Sequence, residues 1–326
     1  MNEADSSPTL SVVIPIFNEQ ETLEALYERL SSSLGVLGED YEVIFVNDGS
    51  RDGSERILRE FHARDPRYRS IHFSRNFGHQ TAITCGLDHA RGRAVVAMDG
   101  DLQDPPEVLR DLLARWREGY DVVYAVRQKR KEGVIKRSAY KAFYWLLRRV
   151  SYLDIPLDSG DFSLIDRRVI DILKEMPERN RFVRGLRTWA GFRQIGYEYA
   201  REARFAGESK YNLAKLMKLA FDGLVSYSYV PLRLVSNVGM LVSATALAYM
   251  GYLLLSRVFG GTPIAGWTST VVIMLFLGGV QLLSLGVIGE YVGRIFEEVK
   301  HRPHYVIRER VGFASQLGGV RPEPSR

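Results

Sequence analysis

Asp99 and Asp101, separated by one glycine at the end of the apolar run Val-Val-Ala-Met (95–98), are the residues best placed to do chemistry in this chain. A short buried strand that stops at two carboxylates brings them to a point just outside a sheet, and Gly100 permits a tight turn between them. Hard oxygen ligands of this kind suit Mg2+ or Mn2+, which keep several waters and are held by one or two carboxylates together with substrate phosphates. Gln103 adds a carbonyl oxygen to the set, and Pro106 is placed to open a helix over 107–117. Asp-x-Asp alone also describes a solvated turn, so the surrounding elements must decide between the two readings.

Those elements alternate. Residues 10–16 form a near-continuous apolar run, as in a strand buried on both faces of a parallel sheet. Asn18 and Glu21 then stand at capping-box spacing ahead of Leu23, Leu26, Leu30 and Leu34, which share one helical face. A second strand, 41–46, closes on Asn47-Asp48-Gly49-Ser50 and is followed by a helix with Ile57, Leu58 and Phe61 inward. A third strand, 69–73, leads through Ser74-Arg75-Asn76-Phe77-Gly78-His79 into a helix containing Cys85 and Leu87, and the 95–98 strand comes next. This β-α-β-α-β-α-β order predicts an α/β domain with a mostly parallel sheet and right-handed crossovers. The polar clusters after successive strands then open on one sheet edge, where a crevice binds nucleotides. The chain lacks Gly-x-Gly-x-x-Gly after its first strand and any Gly-Lys-Ser/Thr, which speaks against a dinucleotide site or a P-loop.

The 326 residues are enough for one domain of roughly 200 residues plus a second part. Lys and Arg outnumber Asp and Glu, 44 to 39, an excess that fits nucleic acid, an anionic membrane surface or a phosphorylated ligand. The single cysteine, Cys85, rules out an internal disulfide framework and fits a reducing compartment. Residues 1–9 are polar and acidic, read as a disordered leader rather than a signal peptide.

No charged residue lies between Arg233 and Arg257, nor between Arg257 and Glu290. Each interval exceeds the ~20 residues that span a bilayer as a helix, and Gly239, Ser243, Ala244, Gly278, Gly279 and Gly286 suit close helix packing in lipid. The alternative is a core hairpin of a large soluble protein. Lys215, Lys218 and Arg233 flank the first interval; Arg294, Lys300, Arg302, Arg308 and Arg310 follow the second. That asymmetry predicts a multi-pass protein with both termini and the main domain cytoplasmic. The expected division is a leader (1–9), a main domain (10–230), two transmembrane helices (231–295) and a cytoplasmic tail (296–326). Basic amphipathic stretches at about 134–152 and 212–229 have the pattern of helices lying in a membrane interface, and equally that of core-facing helices. Nucleic acid fits the charge but not the spans.

Ser11-Val-Val-Ile-Pro-Ile-Phe-Asn-Glu19, Val46-Asn-Asp-Gly-Ser50 and Asp99-Gly-Asp-Leu-Gln-Asp-Pro-Pro106 resemble the signature of glycosyltransferase family 2, which has the Rossmann-like GT-A fold. More narrowly, the chain resembles the polyprenyl-phosphate glycosyltransferases, both the bactoprenol glucosyltransferases and the dolichol-phosphate mannose synthases, from Ser11 to about Val306. The resemblance implies a nucleotide-sugar donor held by Pro15, Phe17, Asn18, Glu19 and Asp48, with Gly78, His79 and Gly100 also in the donor pocket. It implies Mg2+ or Mn2+ on Asp99, Asp101 and Gln103, and inverting transfer of a hexose, with UDP-glucose the expected donor. GDP-mannose, UDP-GlcNAc and a formamido-arabinose nucleotide are the alternatives, and a non-catalytic nucleotide-sugar-binding scaffold is the rival from another class. Undecaprenyl phosphate is the implied acceptor, at the cytoplasmic face of a bacterial inner membrane. Arg127, Arg137 and Lys141 would grip its phosphate, and Arg204, Ser209 and Lys210 would belong to a loop closing over the site. Asp161, in Gly-Asp-Phe, is the implied base or positioning carboxylate, with Asp158 the second candidate. The lipid-linked sugar would serve O-antigen, lipopolysaccharide or other cell-envelope glycosylation, and a homo-oligomer through the spans is expected.

Overall fold

The computed structural model describes residues 7–127, 159–179, 181–200, 230–259 and 266–313. The chain divides into two compact units, one made of 1–140, 153–210 and 303–326, the other of 141–152 and 211–302.

The first unit is built on an eight-stranded sheet. Strands β1 (Leu10–Ile16), β2 (Tyr41–Asn47), β3 (Tyr68–Phe73) and β4 (Ala94–Ala97) are parallel in the order β4-β1-β2-β3. Every residue of β1, β2 and β4 is buried, as expected for strands covered on both faces. One face carries α1 (Leu23–Leu37), α2 (Ser54–Arg64) and α4 (Leu109–Arg117). The other carries α3 (His79–His89), α5 (Arg167–Glu175) and α6 (Val183–Trp189). Packing of α3 on β1 is tight: a Cβ on Gly86 would lie 2.1 Å from Val13 Cγ1. The buried Cys85 belongs to the same layer.

Beyond β4 the sheet turns mixed. Strand β6 (Ser159–Asp166) runs antiparallel between β4 and β5 (Val122–Arg127), and β7 (Gln194–Tyr199) lies parallel to β5 at the edge. The opposite edge is closed by β8 (Ile307–Val311), antiparallel to β3 and tied to α2 by the pairs Arg59–Glu309 and Arg308–Glu55. Residues 307–311, expected in the cytoplasmic tail, are therefore an edge strand. Two of the arginines counted as a positive flank, Arg308 and Arg310, point outward from it. At the other end of the chain, the carbonyls of Pro8 and Thr9 accept hydrogen bonds from Arg93 and Ala94, so these leader residues extend the paired region.

Two local expectations are corrected. The capping box at Asn18 and Glu21 does not form: α1 begins at Leu23, and Asn18 sits in the left-handed region with φ 56°. Its Oδ1 accepts from Arg51 N at 2.8 Å instead, because the loop after β2 offers better-placed amides than a helix that starts later. The helix expected over 107–117 opens with a 3-10 turn, Pro106–Val108, before α4.

The second unit contains two long helices packed on each other, α7 (Val230–Val258) and α8 (Trp267–Val299). Among the described residues one stretch, Phe276–Val299 of α8, is long and apolar enough to cross a membrane; Val235–Tyr249 of α7 is apolar but shorter. The amphipathic stretches at 134–152 and 212–229 lie outside the described residues.

Candidate functional site

The loops after β1 and β2 are laced together by reciprocal hydrogen bonds. Ser50 Oγ accepts from Asn18 N at 3.0 Å, Ser54 Oγ from Glu19 N at 3.2 Å, and Asp52 Oδ2 from Gln20 N at 3.1 Å, while Gly53 N donates to Gln20 Oε1 at 2.7 Å. Small polar side chains at loop positions suit this, since they bond backbone amides without leaving the turn. Pro15 is buried at the end of β1 and Phe17 stands 45% exposed, an unusually open position for an aromatic ring at a sheet edge.

Asp48 holds the loop after β3. Its carboxylate accepts from Phe77 N at 2.6 Å and Gly78 N at 2.9 Å, while Asn76 Nδ2 donates to its carbonyl at 3.2 Å. Burial raises its pKa, against those two amides. Gly49 needs to be glycine here: its φ is +68°, and a Cβ would meet the Arg75 carbonyl carbon at 2.5 Å. Gly78 has φ 102° and precedes α3, so the turn delivers His79 and Gln80 at the first turn of that helix.

The register between β4 and β6 explains the heart of the site. Ala94 pairs with Asp166 and Ala97 with Ser163, and the same antiparallel register carried two steps further sets Asp99 opposite Asp161. His79 lies between them, with Nε2 3.4 Å from Asp99 Oδ1 and 3.6 Å from Asp161 Oδ2. Asp161 is further engaged by Gln80 Nε2 at 2.8 Å and Arg184 Nε at 3.3 Å. Gln80 spends its other end on α6, where its Oε1 accepts from Val183 N at 3.1 Å.

Charge follows this geometry. Burial pushes Asp161 up, but the hydrogen bond from His79 and the Arg184 guanidinium outweigh it and hold the carboxyl well below the usual range. Asp99 goes the other way. Burial pushes it up to about 6, with Asp104, Asp161 and Asp101 adding to the rise and His79 opposing it. His79 is raised in turn: burial works against its charge, and Asp161 and Asp99 more than offset that.

On the acidic side Asp101 is 7% exposed and accepts from Gln103 N at 3.1 Å, with Leu102 between them in the left-handed region at φ 60°. Gly100 presses against β1, where a Cβ would approach Ile16 Cδ1 to 2.6 Å. Asp104 is fully buried and accepts from Tyr199 OH at 2.5 Å. Among the described residues no three His, Cys, Asp or Glu side chains form a closed cation cage. Asp99 Oδ1 is nevertheless buried and accepts no hydrogen bond from the described residues, its contact with His79 Nε2 at 3.4 Å being an ion-pair approach, and it stands beside Asp101. A lone-pair donor left open next to a second carboxylate fits a hard cation that takes its remaining ligands from water and substrate.

The structure thus gathers Asp99, Asp101, Gln103, His79 and Asp161, and places Phe17, Asn18, Glu19, Asp48 and Gly78 on loops along the same strand ends. Arg127 ends β5 with its backbone opposite Tyr199. Asp158, Arg137, Lys141, Arg204, Ser209 and Lys210 lie outside the described residues. Sequence reasoning missed Gln80, Arg184 and Arg187. For Arg187 a signal existed, since Val183, Leu186 and Arg187 fall on one helical face and a charge there occupies a core position.

Residues 11–173 match the description Glycosyl transferase family 2, and residues 230–295 match the GtrB C-terminal hairpin. The chain is 48% identical over 307 residues to "Uncharacterized glycosyltransferase YkcC" of Bacillus subtilis (strain 168), covering 94% of this chain and 95% of that one. It is 41% identical over 300 residues to "Bactoprenol glucosyl transferase" of Shigella phage SfV, covering 92% and 98%. Among solved structures, glucosyl-3-phosphoglycerate synthase from Mycobacterium tuberculosis aligns with a TM-score of 0.45 at 18% identity, over 68% of this chain and 79% of that chain.

Proposed function

Because the chain belongs to glycosyltransferase family 2 and carries the GtrB C-terminal hairpin, it is a glycosyltransferase, and we propose that it moves a hexose from a nucleotide sugar, UDP-glucose, to undecaprenyl phosphate. The reading takes its acceptor class from the relatives named bactoprenol glucosyl transferase, which match this chain over nearly its whole length. The observation that carries it is the division of the site into an acidic side at Asp99 and Asp101 and a cation-flanked carboxylate at Asp161, joined by His79.

In this reading the loops at Pro15 to Glu19 and Asp48 to Gly78 hold base and ribose, with the exposed Phe17 ring against one of them. Asp99, Asp101 and Gln103 would hold Mg2+ or Mn2+, whose bound charge neutralises the departing diphosphate. Asp161 works as an orienting anion. A carboxylate held below its usual range is a weak base, and a phosphate monoester already carries about −1.5 to −2 charge near pH 7, so little deprotonation is required. Asp161 instead keeps His79 and Arg184 aimed, and the acceptor phosphate attacks the anomeric carbon from the face opposite the diphosphate. The two helices α7 and α8 would both cross the bilayer, keeping the sheet domain at the cytoplasmic surface.

The test is transfer of labelled sugar from a panel of nucleotide sugars to undecaprenyl phosphate by detergent-purified protein with Mn2+ or Mg2+. UDP-glucose is expected to give a lipid-phosphate product that disappears in Asp101→Ala. A different productive donor would correct the sugar; no product from any donor would overturn the acceptor.

A further inference from the structure

Arg187 is the largest fully buried side chain among the described residues, 1% exposed on the inner face of α6. Its Nε and Nη1 have no hydrogen-bond partner among the described residues. Nη2 reaches the Gly160 carbonyl at 3.5 Å, the outer limit of a hydrogen bond, and the guanidinium lies 5.5 Å from the Tyr124 ring centre. Burial pushes its pKa down to about 10, which still leaves it charged at neutral pH. Burying a charge without a paired counter-ion is destabilising, and a well-packed apolar side chain of similar volume would remove that cost. Its presence calls for a function.

The acid whose field Arg187 feels is Asp161, next along β6 from Gly160. Asp161 does not neutralise it, because its two oxygens already face Gln80, His79 and Arg184. The Asp161 side of the site therefore sets His79, Arg184 and Arg187 against one carboxylate, while the other side gathers Asp99, Asp101 and Asp104. In an inverting displacement the attacking and leaving oxygens stand on opposite faces of the sugar. The acidic side suits a metal-bound leaving diphosphate, which leaves the cationic side for the attacking anion.

On the acceptor reading above, we propose that Arg187 is a positioning residue for that anion: an unneutralised guanidinium beneath Gly160 and Asp161 that supplies the positive potential drawing the acceptor phosphate into line. It need not touch the phosphate, since a charge in a buried, low-dielectric position acts over a longer range than one in water.

Full-length, detergent-purified wild type, Arg187→Met and Arg187→Lys would be compared by thermal melting and by initial rates, varying undecaprenyl phosphate and nucleotide sugar separately. Arg187→Met is expected to melt at or above the wild-type temperature while its KM for the lipid phosphate rises about tenfold, the loss of roughly one charge interaction. The KM for the nucleotide sugar should change less than about twofold, and Arg187→Lys should fall between the two proteins. A lower melting temperature with both KM values rising together would mark Arg187 as structural, and an unchanged acceptor KM would overturn the proposal outright. Wild-type protein inactive on polyprenyl phosphate would take down the acceptor reading and this one; active wild type with unaltered variants would take down this one alone.

Discussion

Asp99, two residues past β4, and Asp161, near the start of β6, are the same residue type and share His79, yet their proton affinities are driven apart. Asp99 is crowded by other carboxylates, and its Oδ1 accepts no hydrogen bond from the described residues, with His79 only at ion-pair distance. Asp161 is the more buried of the two yet is ringed by an amide, an imidazole and a guanidinium. Burial acts on both in the same direction, so the neighbours decide the outcome. One carboxylate is left open for a cation to satisfy; the other is already satisfied and serves to aim its partners. Such a separation between like groups is how acidic residues acquire different roles within one site.

The sharpest way to break this comparison is Asp161→Asn, which keeps the shape and removes the charge that His79 and Arg184 face. Transfer is expected to fall about 100-fold in kcat, the scale seen when one preorganised polar group is lost from an active site. A loss under about threefold would show that the charge does not matter.

The Asp99 side is tested by pH. Its folded pKa is raised to about 6, so the native protein holds this proton more tightly than the unfolded chain, and stability from the group is lost as pH rises from the ordinary carboxylate range to about 6. A divalent ion must displace the same proton. Titration calorimetry with Mn2+ should therefore find affinity about tenfold weaker at pH 5 than at pH 7.5. Equal affinities at the two pH values would mean that Asp99 is not a ligand.

The smallest expected effect sharpens the contrast. Gln80→Leu removes the amide that bonds both Asp161 and the start of α6. It should lower stability by about 1–2 kcal/mol and slow transfer severalfold, while Mn2+ affinity stays at the wild-type value. A parallel drop in Mn2+ affinity would show that the two sides are not separable.

Much of the fold was legible because it rests on local pattern. The apolar runs of β1, β2 and β4 are unbroken, and the leucines of α1 recur at helical spacing, so strand and helix alternate visibly. Asp99, Asp101 and Gln103 were legible too, being neighbours in sequence at a strand end. The edge strand β8 was harder to see: its alternation of Ile307, Glu309 and Val311 with arginines reads equally as a basic tail. The capping box failed for a similar reason, since Asn18 and Glu21 had the right spacing but Arg51 N, 33 residues away, competed for the side chain.

By itself the sequence determined the α/β alternation, the order of the polar loops, the acidic pair after β4 and the charge-free intervals that fall in α7 and α8, all properties of residues close together along the chain. Only the tertiary structure decided that β6 returns antiparallel beside β4 and so sets Asp161 against Asp99. It also decided that α6 brings Arg184 and Arg187 to Asp161, and that Asp48 is bound to the loop after β3. These pairings join positions tens of residues apart, and their energies come from burial and from the geometry of approach, which no local spacing records.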